Sequence, residues 1–132
     1  MFTRWFRNRP AALTGAPAVR RQKTYSAQSG YVYQYFYLGH RPLIHRRGTE
    51  FVFDVSSDRK SSASVSVCLF EDAIAGWQRE RGRTLSATEL YAIAKMALFR
   101  AFDQRETPEA MLQPVQVQAQ DVVAILTDVG ID

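Results

Sequence analysis

Three runs that alternate with period two, joined by links too short for a crossover helix, constrain this chain more than any other feature. In "YVYQYFYLGH" Tyr31, Tyr33, Tyr35 and Tyr37 face one way and Val32, Gln34, Phe36 and Leu38 the other. In "EFVFDV" Phe51, Phe53 and Val55 share a face, and in "SASVSVCLF" Val65, Val67 and Leu69 oppose Ser64, Ser66, Cys68 and Phe70. β-Branched and aromatic residues in this alternation, bounded by turn formers, read as half-buried strands. The links "GHRPLIHRRGT" and "SSDRKS" fit antiparallel neighbours only, because a parallel return needs a dozen or more residues.

Helix signals follow the strands. Glu71 and Asp72 open "EDAIAGWQRER", where acids suit the positive end of a helix dipole, and Gly82 is the expected stop. Ser86 stands three residues before Glu89 in the capping-box pattern, ahead of "LYAIAKMALFRAFDQRE". Leu90, Ile93, Ala94, Ala97 and Ala101 then form one helical stripe, with Tyr91, Leu98 and Phe102 beside it. Beyond Pro108 the expectation is a short extended piece with Val115 and Val117 aligned, then a helical turn or two through "DVVAILTDVG". The resulting fold class is α+β: a three- to four-stranded antiparallel meander followed by two helices packed on one face, with a flexible basic N-terminal arm. A length of 132 residues fits one domain. The expected division is a basic, poorly ordered arm over residues 1–24 that contains Pro and Gly, and a single α+β domain over residues 25–132.

Charge is distributed unevenly. Residues 1–49 hold nine Arg or Lys and no Asp or Glu, whereas residues 50–132 hold eight basic and thirteen acidic residues. An acid-free basic half attracts RNA, DNA or anionic lipid without chemical selectivity. One cysteine, Cys68, excludes an intramolecular disulfide and any cysteine-based zinc site within the chain. No stretch approaches the roughly 18 to 20 apolar residues of a membrane span. A cytoplasmic protein is expected, with two alternatives: a peripheral membrane location, or an organellar one if residues 1–22 are a cleaved Arg-rich presequence.

The residues that suggest binding fall in three groups. The alternating Tyr31, Tyr33, Tyr35 and Tyr37 offer an aromatic sheet face. His40, Arg41, His45, Arg46 and Arg47 make a basic loop, where repulsion among the cations opposes a divalent metal and no metal site is expected. Phe2, Trp5 and Phe6, at helical spacing between Arg4, Arg7 and Arg9, form a candidate membrane contact. No catalytic residue or cofactor is indicated: there is no phosphate loop, nucleophile elbow or metalloprotease helix. Cys68 in "SVCLF" reads as a small buried hydrophobe.

The function expected from these residues is a small non-enzymatic binding or adaptor module, acting through protein contact or self-association on the aromatic sheet face. Single-stranded nucleic-acid binding through the tyrosine row and the arginine loop is one alternative. Membrane-surface attachment through residues 1–10 is the other, and an enzyme ranks last.

Overall fold

The computed structural model describes residues 11–131; Phe2, Trp5 and Phe6 lie outside the described residues. The elements run in the order β1 (Lys23–Ser26), β2 (Val32–Pro42), β3 (Gly48–Ser56), β4 (Ala63–Phe70), α1 (Glu71–Arg81), α2 (Ala87–Gln104), a 3-10 turn (Glu109–Leu112), β5 (Val115–Val117) and α3 (Ala119–Asp128). The five strands form one sheet in sequence order, with β1 to β4 antiparallel and β5 parallel to β4.

The fold is therefore α+β as expected, but the finer expectation of a three- to four-stranded antiparallel meander with two helices is corrected. Among the described residues the sheet has five strands and is mixed, and three α-helices accompany it. β5 and the third helix fall where the extended piece with Val115 and Val117 and the helical turn through "DVVAILTDVG" are expected, whereas β1 is short and nearly silent in sequence. β1, "KTYS", carries Tyr25 as its only aromatic residue and is recruited by backbone pairing, with Tyr25 opposite Tyr33. β5, "VQV", aligns Val115 with Val67 and Val117 with Leu69, and the crossover this parallel pairing demands is supplied by α1 and α2.

Local signals fix the helices. α1 ends at Gly82, which takes φ 65° in the left-handed region and donates its N–H to the Gln78 carbonyl. At the start of α2 the Ser86 hydroxyl accepts from the Glu89 N–H while the Glu89 carboxylate accepts from the Ser86 N–H. The buried stripe of α2, Ile93, Ala94, Ala97, Leu98, Ala101 and Phe102, packs on the sheet face that carries Tyr33, Tyr35, Phe51, Phe53, Val65 and Val67. Trp77 of α1 and Val122, Ile125 and Leu126 of α3 complete the same core. A clamp ties β1 to α2: the Tyr25 hydroxyl donates to Asp103 Oδ2 at 2.8 Å, and the Gln28 N–H donates to Asp103 Oδ1 at 2.9 Å. No helix among the described residues is long and apolar enough to cross a membrane.

Candidate functional site

The tyrosine row does not form an open platform. Tyr31, 39% exposed, precedes β2, while Tyr33 and Tyr35 are 1% and 6% exposed and lie beneath α2. The Tyr33 ring stacks on Phe102 with centroids 4.3 Å apart, and Tyr35 meets Phe99 edge-on at 5.4 Å. Tyr37, partly buried, continues the row past the core on the helix side.

Beyond Tyr37 the strand departs from simple alternation. The ladder to β3 pairs Tyr37 with Phe53 and then Gly39 with Val52, so Leu38 is an extra residue and β2 is bulged. In an unbroken strand, three residues separate opposite faces, and His40 would point away from Tyr37. The bulge returns His40 to the side of Tyr37, opposite Phe51, and the Tyr37 hydroxyl sits 3.0 Å from His40 Nδ1. Burial, and then the neighbouring Tyr91, push the Tyr37 phenol up to about 12, so at neutral pH it stays protonated.

The N-terminal segment closes over this end of β2. The Thr14 N–H donates to the His40 carbonyl at 2.9 Å and the His40 N–H donates back at 2.8 Å. Two glycines permit so close an approach. Gly39, at φ 130°, would bring a Cβ to 2.7 Å from the Thr14 oxygen, and Gly15, at φ 79°, would bring one to 2.7 Å from the His40 ring.

Together these elements enclose a cleft of about 550 Å³ between the Tyr37–Pro42 half of β2, the start of β3 and the first turns of α2. Its walls are Tyr37, Phe51, Leu90 and Tyr91, and its polar groups are His40, Thr49 and Thr88. Tyr91 stands edge-on to Tyr37 at 4.8 Å, and His40 lies 5.8 Å from Phe51. Burial also raises the Tyr91 phenol. An apolar concavity of this size with a few polar groups at its margin is what ligand and partner pockets share.

The arginines of the basic loop lie among acids. Arg41 Nε donates to Glu50 at 2.8 Å, Arg46 contacts both oxygens of Asp72 at 2.7 and 3.0 Å, and Arg47 pairs with Glu71 at 3.1 Å. Arg46 also lies over the Phe70 ring, 3.6 Å from its centroid. His45 is exposed in the turn. Of the residues singled out from sequence, the fold thus brings Tyr37 and His40 together and leaves Tyr33, Tyr35 and the arginines outside the cleft. Phe51, Leu90 and Tyr91 join the site without having stood out as binding residues in the sequence. Tyr91, adjoining the α2 stripe beside Leu90, was the available signal.

Two further groups complete the chemistry of the sheet. Burial would raise the Glu50 carboxyl, but hydrogen bonds from Arg41 and Ser66 and the Arg41 charge hold it below the usual carboxylate range. Cys68, opposite Glu50 on β4, is pushed up by burial and by the Glu50 charge, the reverse of an activated thiolate.

Comparison with protein-family models, with curated proteins and with solved structures finds no match to this chain.

Proposed function

We propose that this chain is a binding module that contacts a protein partner by taking an apolar or aromatic side chain of that partner into the cleft of Tyr37, Phe51, Leu90 and Tyr91. The observation that carries the reading is the composition of the cleft: aromatic walls, with His40, Thr49 and Thr88 placed where they can meet the partner's backbone. Aromatic anchors in a desolvated pocket surrounded by polar groups are the usual energetic centres of protein contacts. The protonated Tyr37 hydroxyl and the His40 ring add a hydrogen-bonding pair inside an otherwise apolar wall. Relative to the sequence expectation, the contact moves from the whole tyrosine row to its Tyr37 end.

Site-specific photocrosslinking in cells tests this. A photoreactive residue at Thr88, at the cleft, is compared with one at Glu80, on the exposed side of α1. The reading requires a discrete protein adduct from position 88 alone, abolished when Leu90→Glu is added to a chain that still unfolds cooperatively. Identical adducts from both positions, or an adduct indifferent to Leu90→Glu, would refute it.

A further inference from the structure

The opposite face of the sheet holds a second constellation. On that face Gln34 and Phe36 of β2 lie beside Ser56 and Asp54 of β3, and the β3–β4 loop brings Arg59 and Lys60 to the margin of a depression of about 170 Å³. Gln34 is buried, 4% exposed, and its Oε1, like the Tyr33 hydroxyl on the other face, has no hydrogen-bond partner. A buried amide oxygen left unpaired costs folding free energy, so its retention calls for an explanation.

The loop is built to hold its cations outward. Asp58 accepts from the Lys60 and Ser61 N–H groups at 2.8 and 2.9 Å, and the Arg59 N–H donates to Ser56 Oγ at 3.0 Å. Arg59 itself takes φ 63°, the one non-glycine residue with positive φ among those described. Neither Arg59 nor Lys60 is ion-paired among the described residues, in contrast to Arg41, Arg46 and Arg47. Asp54, the carboxylate of the depression, already accepts from Ser62 at 3.0 Å. Phe36 is half-buried, and the exposed Arg20 lies over its ring, 5.3 Å from the centroid, where a planar cation occupies the place a planar base would take.

We propose that this outer face binds single-stranded nucleic acid, with phosphates on Arg59 and Lys60 and a base against Phe36, above the unpaired Gln34 amide that lines the depression. Free cations for phosphates and an aromatic ring on a sheet for a base are the recurring elements of single-strand binding. A membrane surface fits less well, because Ser56, Ser61 and Ser62 stand around the depression where a bilayer contact would need apolar side chains. The surface is distinct from the cleft, so the two readings stand or fall separately.

Fluorescence anisotropy with labelled oligothymidylate and oligouridylate of ~12 nucleotides, titrated with the full chain between about 50 and 200 mM salt, provides the test. Binding is expected to weaken with salt, and the log–log slope should fall by about 1.4 in the Arg59→Ala, Lys60→Ala double variant, roughly 0.7 for each phosphate no longer neutralised. Phe36→Leu should weaken binding about tenfold, while Arg46→Ala with Arg47→Ala should leave the slope unchanged. Unfolding midpoints of all variants establish that each is folded. Absence of oligonucleotide binding, a slope indifferent to Arg59 and Lys60, or binding to phosphatidylserine vesicles in place of oligonucleotides would overturn the proposal.

Discussion

Replacing Tyr33 by Phe should stabilise this protein, although it removes a polar group from the start of β2. Tyr33 is 1% exposed, and its hydroxyl is buried with no hydrogen-bond partner. The ring itself contributes through its stack on Phe102 at 4.3 Å, which phenylalanine reproduces. What the substitution deletes is the desolvation cost of an unpaired hydroxyl, about 1 to 3 kcal/mol. Unfolding entropy near 2.1 cal/mol/K per residue over 132 residues converts that to a rise in Tm of about 4 to 11 °C. Tyr25→Phe provides the opposite sign in the same experiment. Its hydroxyl donates to Asp103 at 2.8 Å, so the loss should cost about 1.5 kcal/mol, or about 5 °C. Thermal unfolding of the three proteins followed by far-ultraviolet circular dichroism measures both shifts. A Tyr33→Phe variant no more stable than its parent would show that the hydroxyl is satisfied in solution, for example by water in the neighbouring cleft of about 320 Å³ that Tyr33 lines, and the reasoning would fail.

Ser86→Ala should cost about 1 kcal/mol by removing one half of the capping box on α2, measured as a lowered urea midpoint. Glu89 is held down to about 2, chiefly by the Arg83 hydrogen bond and then by the Ser86 N–H, against an ordinary 4.5. Its contribution is therefore complete above pH 4.5 and vanishes as pH falls toward 2, so Glu89→Gln should flatten that part of the Tm–pH curve. Deleting Leu38 should leave His40 beside Tyr37, since only the bulged residue is removed; a Tyr37–His40 nuclear Overhauser effect would persist, and its loss would contradict the bulge. Glu50→Gln should speed alkylation of Cys68 near pH 8, because removing the facing charge lowers the thiol.

The strands β2, β3 and β4 and the start of α2 were readable because their signals are local: alternation in the first case, Ser86 and Glu89 in the second. β1 was obscure because four residues carry too little pattern; the Val115 and Val117 of β5 were legible, but its parallel pairing with β4 is decided by distant backbone. The bulge was invisible for a different reason. Both faces of "YVYQYFYL" are apolar, so nothing in the side chains marks Leu38 as the extra residue. The neutralised arginines, by contrast, could have been deduced. A hairpin through "SSDRKS" that places Gly48 opposite Phe70 carries Arg47 and Arg46 to the level of Glu71 and Asp72, where the ion pairs are found.

This pairing also relocates the positive charge that the first half of the sequence advertises. Exposed ion pairs add little stability, but a carboxylate within 4 Å cancels most of the field of its arginine beyond a Debye length of about 10 Å. Arg41, Arg46 and Arg47 therefore lose their pull on a distant polyanion. Cations without an ion pair among the described residues include Arg20 and Arg21, Lys23 of β1, and Arg59 and Lys60 in the β3–β4 loop, the last two at the Ser56 end of β3. The aromatic cleft lies on the helix side of the sheet at the Pro42 end, and the cationic depression lies on the outer side at the Ser56 end. No residue lines both, so substitutions in the two should act additively on stability and on binding. A coupling larger than about 0.5 kcal/mol between Leu90→Glu and the Arg59, Lys60 pair would mean that β2 and β3 transmit a conformational change from one face to the other.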